Sequence, residues 1–92
     1  MEYEDIKYAA EEGYVVQDEP GWNKTGYEIY YQRKFLGGTE TFSAAVKSVA
    51  VHMDREKYWP DVLYVNERGN TDVLSIFRRG KGYSYRILES WV

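Results

Sequence analysis

Nine consecutive residues, Arg78-Arg79-Gly80-Lys81-Gly82-Tyr83-Ser84-Tyr85-Arg86, gather four cations and two tyrosines. Cations attract phosphates, and tyrosine faces stack on unpaired bases, so this segment has the residue types of a nucleic-acid contact. Strand alternation sends Tyr83 and Tyr85 to one side and Arg86 to the other, leaving Arg78, Arg79 and Lys81 on a turn where they can grip a backbone. Its glycines do not make a nucleotide loop. Gly80-Lys81-Gly82 lies between two strand-like stretches, with no following helix whose amides would cradle phosphate. A net charge of −3 also runs against a nucleic-acid binder, which usually carries a basic field.

Catalytic chemistry has little to build on. Nucleophilic catalysis of the Ser/His/Asp kind needs a base held by an orienting acid. The one histidine, His52, falls mid-helix beside an apolar stripe, the usual position of a boundary residue. Asp54 and Glu56 share that helix but point in different directions, so they form no evident acid/base pair. No histidine and carboxylates fall at metal-site spacing, and cysteine is absent. The reading is a non-enzymatic protein with no metal and no cofactor.

Binding has more material. Ten Tyr, three Trp and three Phe are too many for the interior of a 92-residue domain, and tyrosine is favoured at interfaces. Trp22 in a polar loop, Tyr30 on the outer side of a strand, and Trp91 near the end are the candidate anchors. Charge is divided as well. Residues 1–32 carry eight acidic against two basic side chains, a net of −6, and residues 33–92 a net of +3. Glu4, Asp5, Glu11 and Glu12 on an N-terminal helix would present an acidic surface to a basic partner. The expected partner is a macromolecule, protein before nucleic acid, with a second copy of the chain among the candidates. No apolar run is long enough to span a bilayer, and the acidic start is unlike a secretory signal, so a cytoplasmic, non-membrane location is expected.

The elements that must position these groups can be read from periodicity. Tyr3, Ile6 and Ala10 share a stripe, predicting a helix over 2–12 that ends at Gly13. Tyr14-Val15-Val16 begins a strand, and Asp18-Glu19-Pro20-Gly21 signals a turn. Alternation over 27–32 puts Tyr27, Ile29 and Tyr31 on one face. Arg33-Lys34 makes a tight connection to a short return strand, Phe35-Leu36, ended by Gly37-Gly38. Phe42, Ala45, Val46, Val49 and Met53 recur at helical spacing, with Thr39 or Thr41 as cap and Pro60 as stop. Three strands then follow, 61–66, 71–77 and 83–92, joined by glycine turns, with Tyr83, Tyr85, Ile87 and Trp91 on one face. The expectation is a single α+β domain over 1–92, ordered α-β-β-β-α-β-β-β. Its sheet is an antiparallel meander with the helices packed on one face.

Residues 27–49, about a quarter of the chain, also resemble the sheet-plus-helix module of integrase arm-binding and AP2-type DNA-binding domains. The likeness rests on Leu36, Gly37, Thr41 and Ala45 in a strand pair leading tightly into a helix. It implies DNA readout from the sheet, a role that Arg33 and Lys34 match and Glu28 does not. As a whole, a small cysteine-free, tyrosine-rich α+β chain is similar in kind to accessory proteins of phages and mobile elements. That likeness implies an inhibitor or adaptor of a larger protein.

Overall fold

The computed structural model describes the backbone of residues 3–18 and 26–91, with side chains of the first helix described from Tyr8 onward. The order is α1 (Tyr3–Glu12), β1 (Tyr14–Asp18), β2 (Tyr27–Tyr31), β3 (Lys34–Thr39), α2 (Phe42–Glu56), β4 (Val62–Val65), β5 (Thr71–Arg79) and β6 (Gly82–Trp91). This is the α+β succession that the periodicity predicts. The strands form one sheet in the order β3-β2-β1-β4-β5-β6. Neighbours pair antiparallel except at the centre, where β1 and β4 run parallel. Two three-stranded meanders are thus joined side by side. The connection through α2 is what a parallel pair requires, because a hairpin cannot reverse twice.

Register decides which residues meet α2. Tyr14 lies opposite Tyr31 and Val62, Val16 opposite Ile29 and Tyr64, and Val62 opposite Leu74. These side chains share one face, and Ala45, Val46, Val49, Ala50 and Met53 of α2 close over it. Burying an aliphatic side chain of this size contributes roughly 1.5–3 kcal/mol, so this layer is the main source of stability. On the other face, Leu63 stands opposite Val15 and Val73, and both Leu63 and Val73 are sealed from solvent. Helix α1 packs on β1 and β4, the strands that carry Val15 and Leu63, and is the described helix placed to cover them. Helical cover is therefore divided between the two faces and not gathered on one. A central strand flanked on both sides has apolar residues pointing both ways, and each set needs its own lid.

Local chemistry sets the boundaries. The Thr41 hydroxyl accepts the backbone N–H of Ala44 at 3.1 Å, so Thr41 is the α2 cap. The helix stops at Lys57 (φ 53°), before Pro60 can act, with the Tyr58 N–H donating to the Met53 carbonyl at 3.1 Å. The β2–β3 turn uses Gln32 and Arg33, one residue earlier than expected, and both are left-handed (φ 50° and 70°). Strand β3 continues through Gly37 and Gly38 to Thr39, paired with β2 across a bulge that skips Leu36 and leaves Gly37 at φ 153°, a conformation that glycine permits. At the β5–β6 turn, Gly80 (φ 60°) takes the first loop position and Lys81 the second. A bulge in β6 lets Val73 and Leu74 pair with Glu89 and Ile87, skipping Leu88. The extra residue reverses the alternation, so Trp91, opposite Thr71, lies on the face away from Tyr83, Tyr85 and Ile87.

Candidate functional site

Large apolar side chains are exposed on α1 (Tyr8) and on β3 (Phe35 and Leu36), and three more gather on β6. Among the described strands, β6 lies at the sheet edge and pairs with β5 alone. Tyr85, Ile87 and Leu88 are 43%, 54% and 49% exposed. Of the aromatic side chains described, Tyr14 alone is fully enclosed, so the excess of rings does surface.

Phe42, at the start of α2, organises this region. Its ring meets Tyr64 at 4.8 Å, Tyr85 at 5.0 Å and Tyr27 at 5.6 Å between centroids, all edge-to-face. Such pairs are worth about 0.5–1.5 kcal/mol each beyond area burial. The Phe42–Tyr85 contact forms a ridge between two hollows. On one side lies a groove of about 740 Å³ bordered by Ser43, Lys47, Lys81, Tyr83 and Tyr85. On the other lies a hollow of about 230 Å³ bordered by Tyr64, Asp72, Leu74 and Ile87. Burial, followed by the nearby Tyr27 and Asp18, pushes the Tyr64 hydroxyl up to about 12, so it stays neutral through the physiological range.

The hairpin cations are not gathered on one surface. Arg78 reaches back across the α2 face to Asp54 at 2.5 Å and lies over the Tyr83 ring at 5.9 Å. The bond to Asp54 and its charge raise the Arg78 pKa further. Arg86 points to the opposite face, 5.7 Å above the Phe77 ring. Arg79 pairs across the strands with Gly82 and is exposed. The structure thus brings Lys81, Tyr83 and Tyr85 together with Lys47, which the sequence reading did not single out. Lys47 was hidden because its approach to β6 depends on how α2 crosses the sheet.

The other expected contact residues fall elsewhere. Tyr30 sits on the face away from α2, its hydroxyl 2.5 Å from Glu28 and its ring against Phe35. Trp91 is partly covered, with its indole N–H enclosed and no acceptor among the described residues. Glu11 pairs with Arg33, and Glu12 is exposed at the end of α1. Trp22 and the side chains of Glu4 and Asp5 lie outside the described residues.

His52 belongs to the packing. Its Nδ1 lies 2.5 Å from the Tyr14 hydroxyl, and its ring meets Tyr31 at 4.8 Å. Burial is the largest cause of the raised Tyr14 pKa, with Tyr31 next. Among the described residues no group of three or more His, Asp or Glu side chains could hold a metal ion, and no helix is long and apolar enough to cross a membrane. No family model, curated protein or solved structure matches this chain, so its function has to be argued from the geometry of the β6 side.

Proposed function

We propose that this chain is a non-enzymatic binding module that docks a protein partner on the β6 side of its sheet. One observation carries the reading. An edge strand of ten residues presents three large apolar side chains, two of them more exposed than Tyr85 at 43%, and no described strand pairs with its outer side. Edge strands of that kind are usually shortened, covered or charged, because they pair readily with other chains. Here no described strand covers the outer side, and covering each exposed side chain would return part of the roughly 1.5–3 kcal/mol that full burial contributes. The aromatic cluster behind the strand supplies the stiff, ring-rich surface from which interface anchors are drawn.

Nucleic-acid binding is the competing reading, favoured by the conjunction of Lys47, Lys81, Tyr83 and Tyr85 around one groove. The division of Arg78 from Arg79 and Arg86 weighs against it, since a backbone lying in the groove would meet only part of the basic segment.

The test is capture from native cell extract by the immobilised chain and by an Ile87→Lys variant, with and without nuclease. A protein that survives nuclease, is retained by the parent chain and is lost on the variant supports the proposal. Capture that vanishes with nuclease gives the surface to nucleic acid. Equal capture by the folded variant moves the docking site off β6.

A further inference from the structure

The two hollows beside β6 have a spacing and a chemistry that specify a ligand. Tyr83, Tyr85 and Ile87 follow one another on the α2 face of the strand, each about 7 Å from the next. The groove lies at Tyr83 and Tyr85, and the smaller hollow at Tyr85 and Ile87. The Phe42–Tyr85 ridge separates them. The two hollows lie one strand-dipeptide apart on the inner side of β6, and no described strand pairs with its outer edge, so side chains i and i+2 of an added strand that lean inward over β6 would meet them. The β6 bulge at Leu88 confines regular pairing to Gly82–Ile87, the stretch the hollows flank.

We infer that β6 accepts an extended peptide segment of the protein partner as a seventh strand, with an acidic side chain in the Lys47–Lys81 groove and an apolar one, two residues away, in the Phe42–Ile87 hollow. This inference rests on the protein-binding reading. The groove has two cations on its border and no carboxylate, and among the described residues neither Lys47 nor Lys81 is ion-paired. The smaller hollow is lined by Phe42, Tyr64, Leu74 and Ile87, with Asp72 the one charge, which disfavours a second acid there. The other sheet edge fits a strand ligand less well. Strand β3 exposes Phe35 and Leu36, but it is six residues against ten, and two of its positions are glycine. A second copy also fits less well, since antiparallel pairing centred on β6 sets Ser90 and Leu88 opposite Tyr83 and Tyr85 and so brings no acidic side chain to the Lys47–Lys81 groove.

The test uses the full chain and fluorescein-labelled octapeptides, followed by anisotropy. One peptide carries glutamate and, two residues on, leucine; a second has lysine in place of glutamate; a third is the first with N-methyl groups on alternate backbone nitrogens. The inference expects the glutamate peptide to bind at least about tenfold more tightly than either of the others, the step that one well-placed charge pair or lost ladder bond produces. A Lys47→Glu/Lys81→Glu chain should invert the preference between the first two, which a merely unfolded variant would not do. Equal binding of the three peptides, or no binding at millimolar concentration, overturns the inference. So does tighter binding of a labelled oligothymidylate to the same groove, or sedimentation showing β6 closed by a second copy. If peptides fail while extract capture still depends on Ile87, the strand inference falls and the protein-binding reading stands.

Discussion

Replacing Phe42 tests whether the ridge that shapes the β6 side is as tightly built as its ring contacts indicate. The side chain is partly buried and touches three tyrosine rings at 4.8–5.6 Å. Full burial of a phenylalanine makes its loss to alanine cost about 3–5 kcal/mol. Partial cover scales that to about 2 kcal/mol, and losing the edge-to-face pairs adds about 1 kcal/mol after the neighbours relax. Phe42→Ala should therefore destabilise the domain by roughly 2–3 kcal/mol, up to about half of a margin that starts near 5 kcal/mol for a small domain. In urea, with a slope near 1 kcal/mol/M for a chain of this size, the midpoint should fall by about 2–3 M. Phe42→Leu keeps most of the volume and should cost only about 1 kcal/mol. Equilibrium denaturation followed by tyrosine and tryptophan fluorescence measures both. A Phe42→Ala midpoint within about 0.5 M of the parent, a cost near 0.5 kcal/mol, would mean that the ridge is not packed and the two hollows are not separate.

Three further outcomes follow from the same structure. Thr41→Ala removes the hydroxyl that accepts the Ala44 N–H and should lower stability by about 1 kcal/mol, a melting shift of about 4–8 °C, with Thr41→Ser close to neutral. Gln32→Asn/Arg33→Gly should raise stability by about 1 kcal/mol in the same melt, because both turn positions are left-handed and neither residue suits that conformation. The exposed Arg33–Glu11 pair lost with it is worth little. Tyr64 has its hydroxyl held up to about 12 by burial, against about 10 when unfolded. Its contribution is fully present below pH ~10 and lost as pH climbs toward ~12, up to about 2 kcal/mol after allowing for partial solvation. Tyr64→Phe should flatten this alkaline limb in denaturation curves taken from pH 9 to 12.

How much of this was legible in the sequence depends on the range of the interaction. The order of elements followed from local patterns: the 42–53 stripe, the 27–31 alternation, the glycine turns. Thr41 could be named as a cap because capping spans three residues. The parallel β1–β4 pair could not be read, since nothing local to Tyr14–Asp18 or Val62–Val65 records which strand lies beside it. The bulge at Leu88 left no local mark either, and with it went the side of the sheet on which Trp91 lies. The basic hairpin was conspicuous as a string of residues, but ladder geometry divides its cations between two faces, and Asp54 engages Arg78 from a helix over twenty residues away in sequence. The conjunction of Lys47, Phe42 and Tyr85 arises only from the crossing of α2 over β6.

Residue-resolved amide exchange of the full chain, with and without the glutamate-and-leucine octapeptide, probes the docking edge most directly. The account predicts slowed exchange at alternate amides between Gly82 and Ile87, the ones turned away from β5, with the amides of β3 and α1 unchanged. Slowing confined to β3 or to α1, or an exchange pattern in β6 that the peptide leaves untouched, would contradict it.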